Sequence, residues 1–177
     1  MEINFSNDKY AHASLPKQEF YYYLGLMSTK FAKIEYNILT ILGLLIIEDF
    51  VLSGTLLERN TLERNIELLK KVNQYRMFKT SLVSQMLAKL GSVKKNRNLF
   101  IHGIWSEPYI EENDLMISCS ERKIQHTMLS HGNNWSSAKN HKFRIGYIKK
   151  QVLIIDEIIL TQDHLIKELE NNPGQFN

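Results

Sequence analysis

Between Lys17 and Glu48 the apolar residues Leu24, Phe31, Ile34, Ile38, Leu42 and Leu45 recur at spacings of three, four and seven. That is the period of an α-helix with one apolar stripe. Gly25 and Gly43 weaken it locally without breaking it. At 1.5 Å per residue a helix of this length spans roughly 45 Å, enough to form one wall of a bundle. Its most apolar part, Ile38 to Ile47, is about half the ~20 residues a membrane-spanning helix needs. Glu35, Glu48 and Asp49 flank it, so a buried core helix is expected, with no membrane partner.

The rest of the chain follows the same logic. Asp49 to Thr55, with Ser53-Gly54, reads as a connection. Thr55 to about Tyr75 reads as a second helix, through Leu62, Ile66, Leu69 and Val72. A third is expected from about Lys79 to Ile101, carried by Leu82, Met86, Leu90 and Val93. Pro108 then ends helical prospects, and Leu115, Ile117 and Cys119 alternate as a half-buried strand does. Glu121-Arg122-Lys123 can turn into a second short strand through Thr127, while His131 to His141 reads as a loop. A last helix is expected from about Tyr147 to Leu169. The fold class is therefore mainly α: an up-and-down bundle of about four long helices, with a small β-hairpin or irregular insertion over 106–142. No linker divides the 177 residues, so a single domain is expected, with 1–15 and 171–177 as flexible tails.

Composition narrows the function. A single cysteine, Cys119, excludes a disulfide framework and any multi-cysteine metal site, and fits a reducing, cytoplasmic setting. Met1 to Ser14 lacks the apolar core of a signal peptide. A net charge of +3 permits a phosphate-bearing partner but requires any polyanion site to be local.

Chemistry concentrates in Lys94-Lys95-Asn96-Arg97-Asn98-Leu99-Phe100-Ile101-His102-Gly103. Leu90, Val93, Arg97, Ile101 and Ile104 share one helical stripe, which puts an arginine in an apolar row. Such an arginine needs a buried carboxylate or a bound anion. Gly91, Lys95, Asn98 and His102 form a second stripe, where Gly91 permits close approach of another backbone. Arg97 and His102 stand about 140° apart around an ideal helix. They converge only if the arginine reaches around, the helix relaxes before Gly103, or two copies meet across a two-fold axis. A histidine can move a proton near neutral pH. An arginine fork binds phosphate, and Asn98 can orient either group. These are the parts for RNA cleavage by its own 2′-hydroxyl, with no metal or cofactor called for by the segment.

Arg97-x4-His102, with Asn98 after the arginine and Gly103 after the histidine, resembles the R-x4–6-H signature of HEPN domains. The long first helix with Phe31-Ala32-Lys33-Ile34-Glu35 and the order of helices resemble that superfamily too. The insertion from Glu107 to Lys142 matches no pattern of the family. The resemblance implies a helical domain that dimerises through the motif helices into one composite cleft. It implies a metal-independent endoribonuclease in which His102 performs acid/base chemistry, Arg97 stabilises the scissile phosphate and Asn98 assists. Glu35 would position Arg97, with Lys94 and Lys95 beside the cleft. Members of this superfamily act as toxins or antiviral effectors on RNA, often under an antitoxin or regulatory protein, and DNA is not an expected substrate. The alternative is a non-catalytic module of the same fold that binds nucleotide, RNA or a protein.

Plainer roles stand beside these. His102 can cap the negative end of its helix, with Gly103 as a left-handed cap, and Arg97 can form a structural ion pair with Glu35. Trp105 reads as a core or interface anchor, and at least one of Tyr21, Tyr22 and Tyr23 must face solvent. His126, His131 and His141 lack standard zinc spacing, and Cys119 reads as a small buried hydrophobe. His12 and His164 read as surface residues.

Overall fold

A computed structural model describes residues 15–46, 50–121, 125–129, 132–136 and 139–172. Helix α1 runs Leu15–Ile46, α2 Phe50–Leu57, α3 Leu62–Arg76, α4 Thr80–His102 and α5 Ile145–Asn171. The stripe read in α1 is the core: Phe31, Ile34, Ile38, Leu42 and Leu45 are all buried. The mainly α architecture with a small sheet before the last helix is the one expected.

The second helix differs from expectation. Asp49 to Thr55 is not a connection, because Phe50–Leu57 is helical with Ser53 and Leu57 buried. Burial against α1 overrides the turn propensity of Ser53-Gly54. The break comes later, at Glu58 to Thr61. Thr61 caps α3 by accepting the Arg64 N–H at 3.3 Å, a side-chain bond that relieves one of the unpaired donors of the first turn.

Polar bridges fix the helix directions. Lys30 pairs with Asp156, Lys33 and Asn37 both reach Asp163, and Gln162 donates to the Ile34 carbonyl. Their sequence separations stay between 126 and 130, so α1 and α5 run parallel in a constant register. Helix α4 runs against both: Lys79–Glu168, Lys89–Glu157 and Asn96–Tyr147 step down α5 as they step up α4. Arg76 at the end of α3 donates to the Leu45 carbonyl near the end of α1.

The insertion is more ordered than a single hairpin. Strand β3 (Asp114–Ser120) is central, with β1 (Ile104–Trp105) and β2 (Tyr109–Glu111) along one side and β6 (Asn140–Arg144) along the other. All pairings are antiparallel, and Cys119 faces both Trp105 and His141 in register. The β2–β3 turn places Glu112 and Asn113 at positive φ, the geometry of a tight hairpin turn. Strands β4 (Gln125–Leu129) and β5 (Gly132–Ser136) form a separate hairpin. So β4 does not join β3, and the expected loop from His131 to His141 contains β5 and the start of β6. Ladder hydrogen bonds outweigh its Asn/Ser/Gly composition. His131 itself and the tails 1–14 and 173–177 lie outside the described residues.

An aromatic cluster fastens this sheet to the helices. Trp105 packs on Phe20 of α1 (4.9 Å between ring centroids) and stacks on Phe100 of α4 (5.6 Å, 17°). Phe143 of β6 meets both Phe100 and Trp105. The Trp105 indole N–H donates to the Phe100 carbonyl at 3.2 Å. This cluster sets the position of the last turn of α4.

Candidate active site

Arg97 sits about one and a half turns before the end of α4, and its side chain turns onto α1. Its Nη2 lies 2.7 Å from Glu35 Oε1, and its guanidinium carbon stands 6.0 Å from the Phe31 ring centroid. A carboxylate and a ring face thus hold the fork from two sides. Its Nε is buried and has no acceptor among the described residues. The two side chains remain 32% and 35% exposed, so solvent reaches part of the pair.

The apolar row around it divides. Leu90 and Val93 are fully buried, yet Ile101 is 38% and Ile104 55% exposed. The core face passes instead from Val93 to Phe100, seven residues on, because Phe100 is claimed by the aromatic cluster. The expected row of five therefore leaves the core at Arg97, and Ile101 and Ile104 form an outward apolar edge beside it.

His102 is the last residue of α4 and is exposed. It makes no hydrogen bond or ion pair with another described residue. No bond joins it to Arg97, which is drawn toward α1, so a single chain does not bring the two together. Asn98 lies within α4, but its side chain is outside the described residues. Lys94 pairs with Glu63 of α3, which commits it to the bundle. Lys95 is exposed and makes no ion pair among the described residues. Gly91 has nothing within 4 Å of where a Cβ would stand, so no described element uses the approach it permits.

Gly103 corrects the expected left-handed cap. Its φ of −72° and ψ of 155° are extended, and its N–H donates to the Leu99 carbonyl at 2.8 Å. What demands glycine is space: a Cβ there would stand 2.1 Å from Cys119 Sγ and 2.4 Å from Leu99 O. No sequence signal marks this, since the two residues meet only when β3 docks under α4. Cys119 is buried, and burial pushes its thiol up to about 11. At neutral pH it stays a thiol, not a nucleophile.

Other expected residues fall as follows. Trp105 is an anchor within the chain. Tyr21 and Tyr22 are exposed, and Tyr23 is half-buried with Lys149 over its ring at 5.5 Å. His141 bonds Glu121 at 2.8 Å, and His164 meets Glu168 at 3.3 Å. His126 lies in β4, its side chain outside the described residues. Two contributors to the site escape sequence reading. Phe31 is a supporting ring face, and Asn96 donates to the Tyr147 hydroxyl at 2.7 Å, pinning the turn before Arg97 to α5.

No family model, curated protein or solved structure matches the chain. Among the described residues, no helix is long and apolar enough to cross a membrane.

Proposed function

We propose that this chain is a metal-independent, cytoplasmic endoribonuclease of the HEPN type. It acts as a homodimer in which two copies of Arg97-Asn98-x3-His102 build one cleft. The observation that supports this reading most is the pairing of unlike environments on neighbouring turns of α4. Arg97 is held yet about one-third exposed, while His102 is exposed and makes no bond with another described residue, and Ile101 and Ile104 stand outward on the same stretch of chain.

In the proposed reaction His102 takes the proton of a ribose 2′-hydroxyl, and that oxygen attacks the adjacent phosphorus. Arg97 stabilises the charge that develops on the phosphoryl oxygens. The 5′-oxygen leaves and takes a proton, from His102 of the second copy when two motifs face each other. The products are a 2′,3′-cyclic phosphate and a 5′-hydroxyl, with no atom required from outside. The biological role that fits is a toxin or antiviral effector, restrained or activated by a partner protein.

One observation favours the second reading, a non-catalytic module of the same fold that binds nucleotide, RNA or protein. Arg97 is already bonded to Glu35, so part of its fork serves the bundle. Incubating cellular RNA with the purified protein in excess EDTA, beside His102→Ala, separates the two. Cleavage by wild type alone carries the ribonuclease reading, and cleavage by both assigns the activity to other residues. Cleavage by neither leaves the binding module. Because His102 is exposed, the substitution is expected to leave the melting temperature unchanged.

A further inference from the structure

Three tyrosines of α1 stand in solvent: Tyr21 is 52%, Tyr22 62% and Tyr36 60% exposed. Among the described residues they are the only large hydrophobic side chains exposed on this helix. Tyr21 is backed by the Phe20 ring at 5.4 Å, and Tyr22 meets Tyr23 edge-on at 5.3 Å. The Tyr36 hydroxyl makes no hydrogen bond with another described residue.

Their placement follows from the helix. Tyr21, Gly25, Ala32 and Tyr36 lie within about 60° of one another around α1, on one outward stripe, with Tyr22 at its edge. Gly25 and Ala32 are exposed too and project little between the rings. Glu35 borders this stripe on the side of α4, where it holds Arg97 at 2.7 Å. Toward the start of α1, Phe20 meets Trp105 at 4.9 Å between centroids and Lys17 holds Glu107 at 2.6 Å. These contacts lay the end of α4, with Arg97 and His102, alongside the α1 segment between Phe20 and Glu35. Tyr36 therefore stands at the Arg97 end of that segment. Tyr21 and Tyr22 stand at the other end, roughly 22 Å away. Neither carboxylate of α1 is left free to repel a phosphate, because Glu19 holds Lys149 and Glu35 holds Arg97.

Building on the ribonuclease reading, we infer that these tyrosines hold unpaired bases on either side of the phosphate that Arg97 meets, which makes the substrate single-stranded RNA. Every base has a π-face, so an exposed tyrosine ring takes any of the four by stacking. Bases inside a duplex are already stacked on one another and offer no face to a side chain. Tyr36 takes the base next to Arg97, and Tyr21 or Tyr22 takes a base further along the strand. A protein partner suits the stripe less well. The centre of a protein interface is a contiguous apolar patch, whereas Gly25, Thr29 and Ala32 separate these rings.

The test uses the full chain carrying His102→Ala, in excess EDTA, so that RNA is bound without being cut. The probe is a fluorescein-labelled RNA single strand of about twelve nucleotides, read by anisotropy. Adding Tyr36→Ala is expected to weaken binding about fivefold or more, and adding Tyr21→Ala with Tyr22→Ala about as much, the loss of a stacked base in each case. Tyr36→Phe keeps the ring and should bind within about twofold of its parent. The same sequence as a duplex should bind about tenfold or more weakly. A parent that does not bind the single strand overturns the inference, as does a Tyr36→Ala variant that binds as tightly as its parent. So does a Tyr36→Phe variant that loses as much as Tyr36→Ala, or equal binding of duplex and single strand. A Tyr36→Ala protein that falls from dimer to monomer in light scattering gives the ring to contact between copies and also overturns it. If wild type cuts RNA in EDTA and the tyrosine variants bind and cut equally well, the ribonuclease reading stands and the tyrosine inference falls.

Discussion

The carboxylate of Glu35 and the guanidinium of Arg97 meet at 2.7 Å across α1 and α4, with the Phe31 ring one turn away on α1. Both side chains are about one-third exposed, so solvent screens the pair and its worth is modest. Glu35→Gln is expected to cost about 1 kcal/mol or less in urea unfolding. Arg97→Ala should cost about 1–2 kcal/mol, because it also removes the ring contact and the packed stem. The double-mutant cycle should return a coupling of about 0.5–1 kcal/mol. A coupling of zero would show that the two charges stand together without stabilising each other. In the ribonuclease reading, RNA cleavage should fall far more in Arg97→Ala than in Glu35→Gln, since only the arginine touches phosphate.

Gly103 and Cys119 make the second relationship that can be broken cleanly. A methyl at Gly103 has no room, with Sγ and the Leu99 carbonyl both closer than any real contact. Gly103→Ala is expected to lower stability by about 1–3 kcal/mol, the usual penalty for overpacking a closed site. Scanning calorimetry should register this as a melting temperature lower by several degrees. Adding Cys119→Ala removes the sulfur but not the carbonyl, so it should restore part of the loss and not all of it. Full-length stability unchanged in Gly103→Ala would mean that β3 does not pack under the last turn of α4. The glycine after the histidine, which the sequence offers as part of a signature, thus has a structural reason of its own.

Much of the scaffold is legible in the residues because it follows from period alone. The stripe from Leu24 to Leu45 and the alternation of Leu115, Ile117 and Cys119 each report a face that must be buried, and each is buried or half-buried. What the sequence conceals depends on contacts between distant segments. Ser53-Gly54 looks like a turn until α1 offers Ser53 and Leu57 a place to bury. His131 to His141 looks like loop until β3 supplies a ladder for Asn140 and His141. The site divides the same way. An arginine in an apolar row demands a carboxylate, and Glu35 provides it. That Phe100 and not Ile101 continues the core could not be read, because the choice is made by Trp105 and Phe143 from the insertion.

That choice leaves Ile101 and Ile104 outside, 38% and 55% exposed, on the same stretch of chain as the exposed His102. Gly91, about 15 Å back along α4 on its other stripe, has no described atom within 4 Å of where a Cβ would stand. An outward apolar edge is where a second copy of the chain can pack, and two-fold pairing sets the same residues against themselves. The wild-type protein is therefore expected to run as a dimer in light scattering at micromolar concentration. Ile101→Asp with Ile104→Asp should convert it to a monomer, by placing like charges at the centre of the contact. Because neither side chain belongs to the core, the far-ultraviolet circular dichroism of the variant should match that of wild type. RNA cleavage should disappear along with the dimer, even though Arg97 and His102 are intact in every chain. A wild-type protein that is monomeric at these concentrations removes the composite cleft. A monomeric variant that still cleaves RNA shows that one copy of the motif suffices, and that Arg97 must then leave Glu35 to reach the phosphate.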